Sequence, residues 1–216
     1  MERKIVIRSV GRASTKPDLI VISMTVEATD PDYNAAVSEA ARRTQSVREA
    51  LLPLGFAKEE IKTTNFNVST RYESEQDEKG IFRQRFAGYD CMHSLSLEFP
   101  MDSERLAAVV SAIAESSATP QFHIRFTVKD ADAVIDRVLK DAAARAREKA
   151  EVLCAASGAK LGELVGIEYG SGSMTLYSQT EFAPMLRMAK ASDNSLDVVP
   201  EDIRTEETVT FTWELE

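Results

Sequence analysis

Between Asp130 and Tyr169 the chain carries its longest unbroken helical pattern and runs from it directly into an extended segment. Ala131, Ile135, Val138, Ala142, Ala146, Lys149, Leu153 and Ala156 recur at three- and four-residue steps and so share one stripe of an α-helix. The stripe is mostly alanine. Small side chains let a helix axis lie close to the layer beneath it, so the pattern predicts a helix lying flat on a sheet. Asp136 with Lys140, and Asp141 with Arg145, are acid-first pairs four residues apart. Each pair stabilises an exposed helix face by about 0.2 to 0.5 kcal/mol, which assigns that face to solvent. Asp130 reads as the N-cap and Gly158 as the left-handed stop. The helix expected between them is roughly 26 residues and about 40 Å long.

Upstream, Ile5 and Ile7 alternate with Val6, Arg8 and Val10, and a β-branched run follows from Asp18 to Ala28. In the second run Ile20, Ile22, Met24, Val26 and Ala28 share one face, and Ser23, Thr25 and Glu27 the other, as in a half-buried strand. Asp30 before Pro31 marks a helix start, with a stripe of Tyr33, Val37, Ala40, Thr44, Val47, Leu51 and Leu54 and a stop at Gly55. Ile61 to Glu73 returns as a strand, and the charged stretch Glu73 to Arg85 is expected to be an exposed, mobile hairpin loop. The next strand is the cleanest alternation, with Tyr89, Cys91, His93, Leu95, Leu97 and Phe99 on one side. A short helix capped by Asp102 follows, with Leu106, Val109, Val110 and Ile113 inward, and then a strand with Phe122, Ile124, Phe126 and Val128 on one face. Segments 18 to 72 and 87 to 128 thus repeat the order strand, helix, strand. The chain closes on Val209, Phe211, Trp213 and Leu215 alternating with threonines. The fold class expected is α+β, with antiparallel sheets covered by helices, a duplicated strand-helix-strand unit and one long Ala-rich helix. It reads as a single domain over 1–216, which subdivides into units at 18–72 and 87–128 and a long helix with C-terminal strands at 130–216.

Candidate chemistry is sparse. Cys91 and His93 lie two apart on one strand and face the same way, but a zinc site needs three or four converging ligands. His123 has the opposite parity on its strand, beside Gln121 and Arg125, so His93 reads as a buried, hydrogen-bonded histidine. No Gly-x-Ser-x-Gly elbow and no phosphate-cradling glycine motif precedes a helix. Arg71, Arg83, Arg85 and Arg125 would line an anion site only if their strands were neighbours. A net charge of −9 repels phosphate backbones, so nucleic acid is excluded as a partner. Two cysteines are too few for a disulfide framework and read as free, packed thiols. No catalytic residue, cofactor or metal is expected, no segment is apolar enough to span a membrane, and the identity of any small-molecule ligand is left open. Gly170 to Val199 breaks every period yet contains Met174, Leu176, Tyr177, Phe182, Met185, Leu186 and Met188. It reads either as a loop folded over its own domain or as a segment ordered by a partner subunit, and these seven residues are the candidate oligomer contacts.

Several segments in this order are similar to a known family. They are the opening strand to Gly11 with Lys16-Pro17-Asp18, then Glu59-Glu60-Ile61-Lys62-Thr63 leading into Asn65-Phe66-Asn67-Val68 and Tyr72. They continue with Ala146-Arg147-Glu148-Lys149-Ala150-Glu151, the Gly158 to Gly162 turn, and Val209, Phe211, Trp213-Glu214-Leu215. With them the chain resembles the SIMPL domain family, which includes bacterial periplasmic immunogenic proteins. The resemblance implies an α+β fold with helices on antiparallel sheets, frequent assembly into ring or channel-like oligomers, and a link to the cell envelope and oxidative stress. It brings no agreed catalytic residues. Met1 to Val10 has no signal-peptide pattern, so the chain as written is expected in the cytoplasm, although many members are periplasmic. The function expected is a non-enzymatic protein that assembles with itself. The alternative is a small-molecule binding module with a cleft between the long helix and the sheet.

Overall fold

A computed structural model describes residues 3–76, 82–170, 174–180 and 198–216. The long helix forms as the sequence predicts, α3 over Ala131–Ser157, with the Asp130 carboxylate accepting from the Ala133 N–H and Gly158 in the left-handed region at φ 72°. Both acid-first pairs form, Asp136 to Lys140 at 3.8 Å and Asp141 to Arg145 at 2.7 Å. Its buried positions are Val134, Val138, Ala142, Ala146, Ala150 and Cys154, a strict four-residue series. This corrects the expected stripe in its second half, where Lys149 is exposed and Leu153 is 51% exposed. Four residues advance a helix about 40° beyond a full turn, so a four-residue row sweeps out a twisted surface, and that surface matches a twisted sheet.

The sheet under α3 is built from β1 (Lys4–Thr15), β7 (Ile203–Leu215) and β6 (Leu161–Tyr169), in the order β1-β7-β6. Both pairings are antiparallel, and β1 joins β7 from Lys4 opposite Glu214 to Thr15 opposite Ile203. Ile7, Val209, Phe211 and Trp213 meet Ala142, Ala146 and Ala150 in one cluster, and Phe211 stacks on Trp213 at 5.6 Å. Gly11 decides how close the layers come. A Cβ there would meet the carbonyl oxygen of Val138 and lie 2.7 Å from the Ala142 nitrogen, so strand backbone and helix backbone are in direct contact.

The second sheet has the order β3-β4-β2-β5, with β2 at Leu19–Asp30, β3 at Lys62–Gln76, β4 at Phe82–Pro100 and β5 at Gln121–Thr127. Between β2 and β3 runs α1 (Tyr33–Leu51), and between β4 and β5 runs α2 (Ser103–Glu115). Each strand-helix-strand unit therefore brackets a strand of the other, β2 and β3 enclosing β4, and β4 and β5 enclosing β2. The predicted duplication is this mutual bracketing. Asp32 rather than Asp30 caps α1, because Asp30 instead accepts from the Asp32 N–H at 2.8 Å and Pro31 lies before the first helical turn. Ala36, rather than Tyr33, begins the buried stripe of α1, and Leu106, Val109, Val110 and Ile113 of α2 are buried as expected.

Glu73 to Gln76 and Phe82 to Arg85 are strand, not loop, and this overturns the hairpin-loop expectation. Their charges sit on a paired ladder whose cross-strand partners include Glu75 with Arg83. At the root of this arm the register shifts between Arg71 and Tyr72, and Gly88 takes φ 132° where a Cβ would lie 2.6 Å from the Asp30 carbonyl oxygen. By Cα proximity the chain divides into two compact units, one of β1, α3, β6 and β7, the other of β2, β3, β4, α1, α2 and most of β5.

Replacing Gly11 by alanine forces apart two backbones that touch. The cost expected is about 3 kcal/mol, the upper end of overpacking penalties. Urea unfolding of Gly11→Ala against the parent checks this, and Gly166→Ala, where a Cβ meets nothing within 4 Å, is the control.

Candidate functional site

His93 is the only histidine held by side chains on two neighbouring elements among the described residues. Its Nδ1 lies 3.0 Å from the Thr44 hydroxyl of α1 and its Nε2 lies 2.9 Å from the Thr63 hydroxyl of β3. The Phe66 ring stands edge-on to the imidazole at 5.3 Å. A neutral ring donates through one nitrogen and accepts through the other, and a hydroxyl can complement either, so both nitrogens are satisfied. Burial, and then the Arg48 guanidinium, push His93 below the ordinary histidine range. The hydrogen bonds expected of His93 are therefore what the fold builds, although the ring is half-buried rather than buried. Cys91 is 1% exposed and packs with Ala28, Ala36 and Ala40, where burial raises its thiol. Cys154 is likewise a buried free thiol. His123 is exposed. Among the described residues, no group of three or more His, Cys, Asp or Glu side chains converges as metal ligands would.

The four arginines do not converge. Arg71, Arg83 and Arg85 belong to the β3-β4 arm, where Arg71 bonds Glu73 at 2.7 Å and Arg85 bonds Glu75 at 3.3 Å. Arg125 is on β5, at the opposite edge of the sheet. The cleft expected between the long helix and its sheet is closed by the contact at Gly11 and the alanines of α3.

Strand edges carry the more informative chemistry. The free edge of β1 is capped by α3. The Asp141 carboxylate accepts the Arg12 backbone N–H at 2.8 Å, and the Arg137 guanidinium donates to the Ser14 carbonyl at 2.6 Å. Asp141 is held below the usual carboxylate range, first by that backbone hydrogen bond and then by Arg145. At the other edge of the same sheet, β6 exposes Leu164, Val165, Ile167 and Tyr169, at 47%, 47%, 55% and 45%. Ile167 and Tyr169 stand opposite Phe211 and Val209, so they lie on the helix side of the sheet. They stay open because α3 lies mainly over β1 and β7. On the other face of the sheet, Arg8, Glu168, Thr208 and Thr210 line an open depression of about 760 Å³ that also touches Ile167 and Tyr169. The sequence conceals this edge, since apolar residues at both parities imitate a strand buried on both faces.

A second exposed apolar surface follows the arm of the other sheet. Tyr72, Phe86, Tyr89 and Tyr33 form an edge-to-face series with centroid spacings of 5.9, 5.3 and 5.5 Å. Of the seven candidate oligomer contacts, Met174, Leu176 and Tyr177 are described. Leu176 packs against the cluster of Val128, Val134 and Ile203, and its carbonyl accepts from the Thr127 hydroxyl at 2.6 Å. Tyr177 is 44% exposed and bridges to Thr127. Phe182, Met185, Leu186 and Met188 lie outside the described residues.

A family model with the description SIMPL, a protein of unknown function (DUF541), matches residues 5–213. The chain belongs to the SIMPL family. The 26 kDa periplasmic immunogenic protein of Brucella melitensis is 24% identical to this SIMPL chain over 201 residues, which cover 90% of it and 78% of that protein. An uncharacterized conserved protein from Listeria innocua, known from a crystal structure, aligns over 96% of the chain and 92% of its own at 8% identity with a TM-score of 0.23. No helix among the described residues is long and apolar enough to cross a membrane.

The lowered His93 has a consequence for stability. In the unfolded chain the imidazole takes its proton as pH falls through about 6.5, and the folded protein takes it only at lower pH, so the unfolded state binds more protons in that window. His93 therefore contributes more to stability at pH 7.5 than at 5.5. Glu39, lowered to about 2 by Arg42 and Arg43, changes stability only as pH falls below its ordinary value of 4.5. Urea midpoints at pH 7.5 and 5.5 are expected to differ in the parent and to move together in His93→Gln.

Proposed function

We propose that this SIMPL chain is a non-enzymatic protein that associates with copies of itself, using exposed strand edges and the segment from Gly170 to Val199. The observation that carries the reading is β6, an edge strand with four large apolar side chains about half exposed. Exposed apolar edges are templates for strand pairing, and proteins ordinarily blunt them, as α3 does on β1. The aromatic series on the β3-β4 arm and the half-exposed Tyr177 add surface of the kind that subunit contacts cover. Met174, Leu176 and Tyr177, with Phe182, Met185, Leu186 and Met188, remain the proposed contacts from the last segment. The Brucella melitensis relative is named as periplasmic and immunogenic, and fractionation of the native host would decide between that compartment and the cytoplasm.

Light scattering coupled to size exclusion, run over a wide range of protein concentration, tests the proposal. A mass of two or more chains that persists on dilution is the expected result, and a monomer at every concentration would overturn it. Deleting residues 172 to 196 is expected to lower the mass per particle. An unchanged mass would remove that segment from the interface.

A further inference from the structure

We infer that Arg48, beside His93 and Thr63 at the β3 edge of the second sheet, binds the carboxylate of a small monoanion whose apolar part lies on the Phe66 ring. The site is separate from the surfaces proposed for self-association and does not rest on them.

The position of Arg48 follows from the way α1 runs along β4. Ala36 and Ala40 cluster with Cys91, and one turn later Thr44 bonds His93, so each helical turn advances two strand residues. Four helical residues rise about 6 Å and two strand residues about 6.6 Å, so the steps match. The next turn carries Arg48 toward Leu95, whose partner on β3 is Thr63. Thr63 in turn bonds His93. Here the β3 ladder shifts register between Thr63 and Asn65, with Thr64 the extra residue, and bulges of this kind re-aim groups beside binding sites. β3 is the outer strand of its sheet, so a solute approaches from that edge.

Arg48 differs from comparable cations in having no acceptor. Of the half-buried arginines among the described residues, Arg43 is served by Glu39 and the Glu27 carbonyl, and Arg105 by the faces of Phe56 and Phe99. The Arg48 Nε is sealed from solvent and has no hydrogen-bond partner. A cation drawn partly out of water without an acceptor is costly, and such a group calls for a bound ion or water. Its neighbours do not neutralise it. Across the ladder His93 stands between Val26 and Phe66, and the charge that acts on it is the Arg48 guanidinium.

The chemistry of the ligand follows. Burial and then Arg48 hold His93 below the ordinary histidine range, so the ring is neutral at pH 7 and the site carries one positive charge. One charge matches a carboxylate better than a phosphate dianion, and a guanidinium grips a carboxylate through two parallel hydrogen bonds. With its proton on Nε2, His93 donates to Thr63, whose own hydroxyl proton is then free to meet the anion. Phe66, 50% exposed and edge-on to His93, supplies the apolar platform.

The test uses the full chain with benzoate as the probe, and acetate and inorganic phosphate beside it, at constant ionic strength. His123→Gln, a change at an exposed position, leaves one imidazole to follow by NMR. Benzoate should raise the His93 titration midpoint, because it neutralises the guanidinium that helps depress it. It should bind about tenfold more tightly than acetate, through the ring it lays on Phe66. Arg48→Lys keeps the charge but not the fork, and should weaken benzoate binding about tenfold, as for loss of a charge-assisted hydrogen bond. Arg48→Met should abolish binding and raise the His93 midpoint with no ligand present. A midpoint that benzoate does not move, or moves equally in Arg48→Met, would overturn the site. Phosphate binding as tight as benzoate would overturn its assignment to a carboxylate. Should Arg48→Met fold poorly, Arg48→Lys still decides whether the fork is used.

Discussion

The contact between Gly11 and the backbone of α3 sets the geometry of the unit around it. Without a side chain at position 11, the strand reaches the Val138 carbonyl and the Ala142 peptide directly. That closeness explains why the helix is lined with alanine along the middle of its buried row, and why the bulk in the layer comes from the sheet, through Phe211 and Trp213. It also brings Asp141 and Arg137 within reach of the β1 edge. A wider separation would lose both the packing and the edge protection, so one glycine supports two separate devices.

Protection of the two edges is unequal by construction. A single helix laid over β1 and β7 cannot also cover β6, and that unit has no further helix among the described residues. The large apolar residues of β6 are therefore left half exposed by the layout rather than by local accident. Threonines 208, 210 and 212 occupy the other face of β7.

Much of this architecture was legible from the residues. Alternation located β2, β4 and β7, the charge pairs located the outer face of α3, and capping residues located both of its ends. The misses have physical causes. The stripe of α3 was extended at mixed three- and four-residue steps, whereas a twisted sheet selects a pure four-residue row. Asp30-Pro31 looked like a helix start because both Asp30 and Asp32 can cap, and only the hydrogen bond between them tells which one does. The arm beyond Gly88 looked like a loop because both of its strands are solvated, which removes the hydrophobic alternation that marks a strand. The candidate surface was the least legible part. Leu164, Val165, Ile167 and Tyr169 carry a signal of burial, and it takes the position of β6 at the end of the sheet order to explain why they are about half exposed.

The pairing of β1 with β7 also joins the first strand of the chain to the last, with Lys4 opposite Glu214. During synthesis β1 leaves the ribosome about 200 residues before its partner, and at roughly 5 to 20 residues per second it waits ten seconds or more. The strands of the other unit find their partners among neighbours within Leu19 to Arg125. The β3-β4-β2-β5 sheet can pair while translation proceeds, and the β1-β7-β6 sheet is completed only once β7 has been made.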